Sequence, residues 1–397
     1  MARHHGGGVA AIASIDNLRF APPPPCPEAE VLRAEVRAFL AEHLPQRAIT
    51  KGVGSWGGQD RDFSRKMGAR GWIGMTWPKR YGGHERNALE RYVVLEEMLA
   101  AGAPVSGHWV ADRQSGLLIL RVGTEEQKQG ILPRIAAGEL AFCIGMSEPD
   151  SGSDLASVRT RAAPVEGGFR INGTKLWTSN AHRSEYMILL CRTGEAGEQR
   201  HGGLTQFLVD LKATQGIAIR PVRDISGEHH FNEVVFQDVF LPAASVLGEV
   251  DRGWQQVTSE LAFERSGPER FLSSFTLLVE LTRSLGPDPS ERACIALGRI
   301  VAHITTLRRL SRSVAGMLQA GANPAQQAAL VKDLGTTLEQ EIPEIARQLV
   351  DAEPDRASTR DFVTVLAHTM MNAPSFSIRG GTREILRGMI ARGLGLR

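Results

Sequence analysis

Apolar positions along the chain change rhythm twice. Over Pro27–His43, residues Val31, Leu32, Val36, Phe39 and Leu40 recur at helical spacing, which predicts an amphipathic helix. Residues 63–72, 85–101, 115–122 and 125–137 also read as helices, and the Pro- and Gly-containing stretch from Trp77 to Gly83 reads as a turn. Up to about residue 140 the pattern is that of a helical domain. Beyond Leu140 short β-type runs take over: a Gly-bounded strand end from Phe169 to Gly173, then 186–191, 205–209 and 233–236, separated by turn residues. After Gly253 helical periodicity returns and persists to the end, broken from Gly286 to Pro289 and from Gly321 to Pro324. No internal repeat of ~20–50 residues is visible. The order helical, β, helical predicts an α+β fold and not a doubly wound sheet, with domains at 26–140, 141–248 and 249–397. Residues 1–25, with a Gly triplet and a four-Pro run, read as a disordered tail.

Composition narrows the partners. The 397 residues include 46 Lys+Arg against 44 Asp+Glu, a net charge of +2, and 42% are hydrophobic. That is globular and long enough for two or three domains. Near-cancellation of charge excludes a global basic field for nucleic acid, and no apolar run reaches the ~18 residues of a membrane-spanning helix. Cys26, Cys143, Cys191 and Cys294 are scattered without a CxxC pair, which argues against a disulfide scaffold or a zinc site and for a reducing cytoplasm. No signal peptide is read at the start, and no metal site is assigned to His4-His5. The 42 Gly predict frequent turns and close backbone approaches.

Four segments stand out as candidates for chemistry. The loop from Met146 to Asp154 joins small residues and hydroxyls; its N–H groups could meet an anionic or carbonyl oxygen, or it is an ordinary Gly/Ser turn. No GxGxxG after a strand and no phosphate-binding GxxxxGK motif supports it. In Lys175-Leu176-Trp177-Thr178-Ser179-Asn180 the Trp either covers a flat cofactor beside a hydroxyl or belongs to the core. The helix from Gly253 to Arg265 carries Val257, Glu260, Leu261 and Glu264 on one face, where a carboxylate is either functional or partly exposed beside Arg265. Finally, Arg379-Gly380-Gly381-Thr382-Arg383-Glu384-Ile385 is a turn into a last helix, where Thr382 could cap, with or without a ligand at the N–H groups.

Taken together and in this order, these segments resemble the acyl-CoA dehydrogenase family, from about residue 27 to the end. The resemblance rests on Gly123-Thr124-Glu125-Glu126-Gln127, on Ser147-Glu148-Pro149 with Gly152-Ser153-Asp154, on Asn172-Gly173-Thr174-Lys175 with Trp177-Thr178-Ser179-Asn180, and on Gly380-Gly381-Thr382 with Glu384-Ile385. It implies an N-terminal helical domain, a middle β-barrel-like domain and a C-terminal four-helix bundle that builds an oligomer. A non-covalent FAD would lie between the β domain and the bundle. By family position, Met146, Ser147, Gly152 and Ser153 fall in the flavin-contacting loop, with Ser153 also near the substrate pantetheine. Trp177 covers the flavin, Thr178 is a cofactor-binding position beside it, and the Ser179 hydroxyl faces the N5 edge of the flavin. Thr382 and Glu384 reach the pyrophosphate and adenosine side, while Arg265 and Gly380 face substrate. The implied reaction is α,β-dehydrogenation of an acyl-CoA thioester to the trans-2-enoyl-CoA. A carboxylate takes the α-proton, flavin takes the β-hydride, and electrons leave to an electron-transfer flavoprotein.

The sequence departs from the family pattern twice. Many members carry the base just before the Gly-Thr of the C-terminal motif, where Gly380 stands here; glycine cannot be a base, though its N–H could hold the thioester oxygen. Isovaleryl- and long-chain-type members place the base on the helix after the β domain, before an Arg. That position is Glu264, with Glu260 one turn earlier as the reserve. Secondly, the Arg-x-x-Phe-Gly and Gln-x-x-Gly-Gly-x-Gly segments that members use to hold a neighbour's FAD are missing. Residues 284–313 lack the first, and Gln348-Leu349-Val350-Asp351-Ala352 stands in place of the second. This implies a heterotetramer with a related chain, or a homo-oligomer with altered adenosine contacts. The alternatives on the same fold are desulfination or other C–S or C–N cleavage, nitroalkane oxidation, monooxygenation, or a non-catalytic partner subunit.

Overall fold

The computed structural model describes residues 18–44, 58–194, 201–355 and 360–396, and the backbone alone for residues 259–264. The chain begins with α1 (Pro27–His43), α2 (Arg61–Ala69), α3 (Ala88–Ala100), α4 (Ser106–Val110), α5 (Gly116–Val122) and α6 (Glu125–Ala136). The bounds of α1 are those its apolar spacing predicts. α4 and the π-helical turn after it escape the pattern because Ser106, Gly107, His108 and Trp109 are all buried and leave no polar face to set a period. Two of the helices start on capping boxes: Asn87 with Glu90 at α3, and Thr124 with Gln127 at α6. The second explains part of the 123–127 motif. Gln127 closes the cap and also donates to Ala244 O at 2.9 Å and Val246 O at 3.0 Å, tying α6 to the exit of the sheet.

The middle region is one mixed sheet of β1 (Phe142–Gly145), β2 (Arg161–Val165), β3 (Gly168–Lys175), β4 (Tyr186–Arg192), β5 (Leu204–Asp210), β6 (Ile217–Val222), β7 (Phe231–Pro242) and β8 (Val246–Leu247). Its order is β6-β7-β3-β2-β4-β5-β8, with β1 parallel to β4 off that path. The path is open, with β6 and β8 at its ends, so the sheet is barrel-like only in the loose sense. β2 and β6 were not predicted because each contains a proline, which a central strand excludes. β6 is an edge strand, and β2 meets β4 only at Arg161 and Arg192, so both tolerate it. A bulge separates Ile171 from Gly173, whose φ of 149° and distance of 2.6 Å from a notional Cβ to Thr160 Cα admit only glycine.

Helices then return as α7 (Gly253–Glu264), α8 (Phe275–Leu285), α9 (Glu291–Gln319), α10 (Ala325–Leu349), α11 (Asp361–Phe376) and α12 (Arg383–Gly393). α8 to α11 pack as a four-helix bundle around α10, and α12 lies on α10. One core joins all three regions: Leu32, Trp77 and Leu132 share it with Phe142, Ile188 and Leu208 of the sheet and with Leu277, Leu338 and Leu366 of the bundle. The expected disordered tail needs a correction at its end. Phe20 packs on Val314, Ala328 and Val331, Gln327 donates to Arg19 O at 3.2 Å, and Ser313 donates to Ala21 O, so apolar burial and satisfied carbonyls seat this strap on α9 and α10. Residues 1–17, with His4 and His5, lie outside the described residues. Among the described residues, no helix is long and apolar enough to cross a membrane.

Candidate active site

The Ser147 loop is folded around a buried ion pair. Lys175, the last residue of β3, is fully buried and donates to Glu148 Oε1 at 2.8 Å and to Met146 O at 3.0 Å. Arg159 N and Thr160 N donate to the same carboxylate at 2.7 and 2.8 Å. Burial pushes Glu148 up, but Lys175 and the N–H donors outweigh it and hold the carboxyl below its usual range. Ser147 O accepts from Leu176 N at 2.9 Å, so the loop after β1 and the turn after β3 form one unit. Met146, Leu155 and Trp254, the last at the start of α7, all pack against the buried cluster of Val158, Leu190, Leu204 and Val257. Gly152 and Ser153 stand exposed at the tip, and a Cβ at Gly152 would meet nothing within 4 Å.

Beside this loop, Trp177 is 55% exposed and sits at φ 61°, touching Phe231 edge to face at 5.7 Å. Thr178 is buried and exchanges two 3.0 Å backbone hydrogen bonds with Asn232, yet its Oγ1 has no partner. Ser179 is exposed, and Asn180 is again left-handed at φ 56°. A bulky residue in that conformation is strained, an exposed indole is unusual, and a buried hydroxyl without a partner is costly. All three coincide at one turn. They fit a flat ring that covers the indole and offers polar edge atoms.

The other end of the site is built on Arg265, which follows α7 and is 2% exposed. Its Nε donates to Gly380 O at 3.1 Å and its Nη1 to Met389 Sδ of α12 at 2.9 Å. Lys332 of α10, fully buried, donates to Gly381 O at 2.7 Å. Gly380 and Gly381 have φ of 66° and 97°, and a Cβ at Gly381 would stand 3.0 Å from Arg265 Nη2. With both carbonyls engaged, what the turn presents is N–H donors. Thr382 occupies the N-cap of α12 but makes no side-chain cap bond, contrary to the expected cap. The exposed carboxyl of neighbouring Glu384 is held below its usual range by its own backbone N–H first and by the nearby Thr382 second.

α7 is the frame that joins the two ends. Its 12 residues span about 18 Å, from Trp254 at the Met146 loop to Arg265 at the glycine turn. Glu260 and Glu264 lie in its last two turns, and their side chains lie outside the described residues.

Family models for the N-terminal, middle and C-terminal domains of acyl-CoA dehydrogenase match residues 26–139, 143–239 and 289–395. The chain belongs to the acyl-CoA dehydrogenase family. It is similar to acyl-CoA dehydrogenase FadE26 of Mycobacterium tuberculosis, 32% identical over 407 residues that cover 93% of this chain and 97% of that protein. Among solved structures it is similar to the Tcur3481-Tcur3483 steroid ACAD, with a TM-score of 0.81, 27% identity and coverage of 94% of this chain and 98% of that one. A second is the ChsE4-ChsE5 complex of Mycobacterium tuberculosis, with a TM-score of 0.80, 30% identity and coverage of 94% and 99%.

Beneath the glycine turn of this acyl-CoA dehydrogenase lies a charged layer of which sequence reasoning singled out only Arg379. Arg379 donates to Glu339 Oε2 at 3.2 Å and to Ser273 Oγ at 2.6 Å, and Ser273 N donates to Glu339 Oε1 at 2.7 Å. Burial raises Glu339 despite Arg379 and Ser273, and burial lowers Arg379 to about 10. Arg113, from the π-helical turn, pairs with fully buried Glu269. These residues come from four distant stretches, and no local spacing marks them. Glu148 and Lys175 do stand inside the recognised motifs, and a buried partnership between them is what those motif positions encode. A cavity of about 250 Å³ lies between α3, α9 and residues 266–269, directly after Arg265.

Proposed function

We propose that this chain catalyses FAD-dependent α,β-dehydrogenation of an acyl-CoA thioester to the trans-2-enoyl-CoA, with electrons passed to an electron-transfer flavoprotein. The observation that carries the reading is the glycine turn whose two carbonyls are held by Arg265 and Lys332, at the end of the helix on which Glu264 precedes Arg265. Gly380 N–H holds the thioester oxygen and favours the enolate as negative charge grows there. Glu264 takes the α-proton, and Arg265 fixes the distance between helix end and turn. FAD, when bound, supplies the acceptor for the β-hydride. Its ring would be held by Met146, Ser147, Gly152, Ser153, Trp177, Thr178 and Ser179, with Ser153 also reaching the pantetheine. Thr382 and the start of α12 suit its phosphates, and anionic Glu384 suits the adenosine side better. The acyl group enters the cavity at residues 266–269.

Glu264→Gln tests the base. In the flavin-loaded protein it is expected to slow anaerobic flavin reduction by a panel of acyl-CoAs roughly 10²–10⁴-fold, and Glu260→Gln far less. An undiminished rate in E264Q overturns the assignment. A wild type whose flavin no ester bleaches overturns dehydrogenation in favour of another chemistry on the same fold.

We also infer an α2β2-like assembly with a related chain. In support, residues 348–352 at the end of α10 lack the glycine-rich segment of self-sufficient members, and two similar structures are complexes of two named chains. Flavin absorbance of the chain purified alone decides this: full occupancy in a homo-oligomer would overturn it. A reducing cytoplasm belongs to the same proposal, supported by Cys26, Cys143, Cys191 and Cys294 all being free thiols.

A further inference from the structure

The cavity beside α3 has an apolar side and an unfinished polar side. Leu95, Leu117 and Leu318 form the first. On the second stand Tyr92, 4% exposed, and Glu269, fully buried. The Tyr92 hydroxyl lies beside Ser311 but has no hydrogen-bond partner, and Ser311 gives its own proton to Ser266 O. Glu269 Oε1 accepts from Arg113, whereas Oε2 has no partner and lies over Gly267, which also lines the cavity. A buried donor and a buried acceptor left unmatched around one cavity are costly unless something completes them.

Their chemistry selects what can. A ligand hydroxyl accepts from Tyr92 and donates to Glu269 Oε2, satisfying both. An alkyl terminus satisfies neither, and a ligand carboxylate would set a second anion against Glu269. The guanidiniums around the cavity do not reverse this, because Arg86, Arg91 and Arg113 are each engaged with a carboxylate, on Glu90, Asp112 and Glu269. The wall begins at Ser266, two residues past Glu264.

We propose that the acyl group of the substrate is compact and carries a neutral hydroxyl beyond its reacting carbons, seated between Tyr92 and Glu269. This rests on the dehydrogenase reading of the same site.

Three CoA esters on one skeleton test it: 3-cyclohexylpropanoyl-CoA and its 4-hydroxy and 4-carboxy ring derivatives. With the flavin-loaded protein, together with any partner chain it requires, the hydroxylated ester is expected to bind roughly 10-fold tighter in calorimetric titration than the plain ester. Its kcat/KM for anaerobic flavin reduction should exceed the plain ester's by a similar factor, about 10-fold. Tyr92→Phe should collapse the ratio to within about 3-fold, and Glu269→Gln should shrink it as well. If the plain or the carboxylated ester is preferred in the wild type, the hydroxyl proposal falls while flavin reduction keeps the dehydrogenase reading standing. The wild-type comparison decides even where a variant does not fold. If none of the three binds or reduces flavin, the hydroxyl proposal falls, and the wider acyl-CoA panel decides the dehydrogenase reading separately.

Discussion

Glu148 in the sheet and Glu339 in the bundle are both buried carboxylates beside a cation, one at each end of α7, yet they titrate in opposite directions. Glu148 lies below its usual range and Glu339 above it, although burial works to raise both. The difference is first the depth of burial, complete for Glu339 but with 8% of Glu148 exposed, and then the number of donors. Glu148 takes Lys175 and two backbone N–H groups in a tight loop, at 2.7 to 2.8 Å throughout. Glu339 takes one backbone N–H and a guanidinium that it shares with Ser273 and that also lies over the Phe376 ring at 4.6 Å. The sheet end of the site is therefore a fixed ionic platform, and the bundle end is a charged layer with less to compensate its burial.

Removing each cation is the strongest way to break that contrast. Lys175→Met strands an ionised carboxylate in the core and is expected to cost about 3–5 kcal/mol, read from urea unfolding, with flavin occupancy falling in parallel. The double variant Lys175→Met with Glu148→Gln should recover part of that loss, because the uncompensated charge goes with it. Arg379→Met should cost less than Lys175→Met, since Glu339 can take up a proton. If the two single variants lose equal stability, the contrast between the two ends is wrong.

The glycine turn gives the next effect. Gly381→Ala puts a Cβ at φ 97°, 3.0 Å from Arg265 Nη2, and should cost about 1–2 kcal/mol with weakened flavin and substrate binding. Gly152→Ala, at the open tip of the sheet loop, should change stability by no more than about 0.5 kcal/mol. Thermal midpoints of the pair check this; equal shifts would mean that the turn is no more constrained than the tip.

What could be read before the structure follows from these same residues. Helices with one polar face, such as α1, and turns carrying Pro and Gly were legible because their signal is local. α4 was not, because it is buried on every side, and β2 and β6 were hidden by prolines that only their limited pairing explains. Gly380 and Gly381 were legible as a turn, but Arg265 and Lys332 holding their carbonyls was not, since the contacts span more than one hundred residues in one case and a whole helix in the other. Thr382 stands at the N-cap of α12 as expected, but its side chain makes no cap bond. Long-range pairing of charges is the part of this site that spacing along the chain does not carry.

Acidity gives a smaller and more discriminating readout of the same comparison. Glu148 ionises more easily folded than unfolded, so the stability it contributes is full above the ordinary carboxylate range and is lost as pH falls through its lowered value. Glu339 is the reverse: its contribution is full below the ordinary range and is lost as pH rises through its raised value. Unfolding free energies between pH 3 and 7 should show the stability gap between wild type and E148Q shrinking toward acid, and that between wild type and E339Q shifting in favour of wild type. Neither slope can exceed ~1.4 kcal/mol per pH unit for one group. Slopes of the same sign would show that the two carboxylates share one environment after all.

The smallest expected change in stability separates folding from ligand binding at the sheet end. Trp177 is half exposed and left-handed, so Trp177→Gly loses the contact with Phe231, about 0.5–1.5 kcal/mol, and relieves a left-handed residue, about 1–2 kcal/mol. Added backbone freedom in the unfolded chain takes back about 0.5–1 kcal/mol, leaving a net change near zero. Flavin dissociation, followed by fluorescence, should nevertheless be much faster, because the strained indole is held for a ring and not for the core. A W177G protein as destabilised as the Lys175→Met variant would make the indole structural, and its exposure would then need no ligand. A W177G protein of wild-type stability that releases flavin readily would show that the platform built by Glu148 and Lys175 persists without the indole it positions.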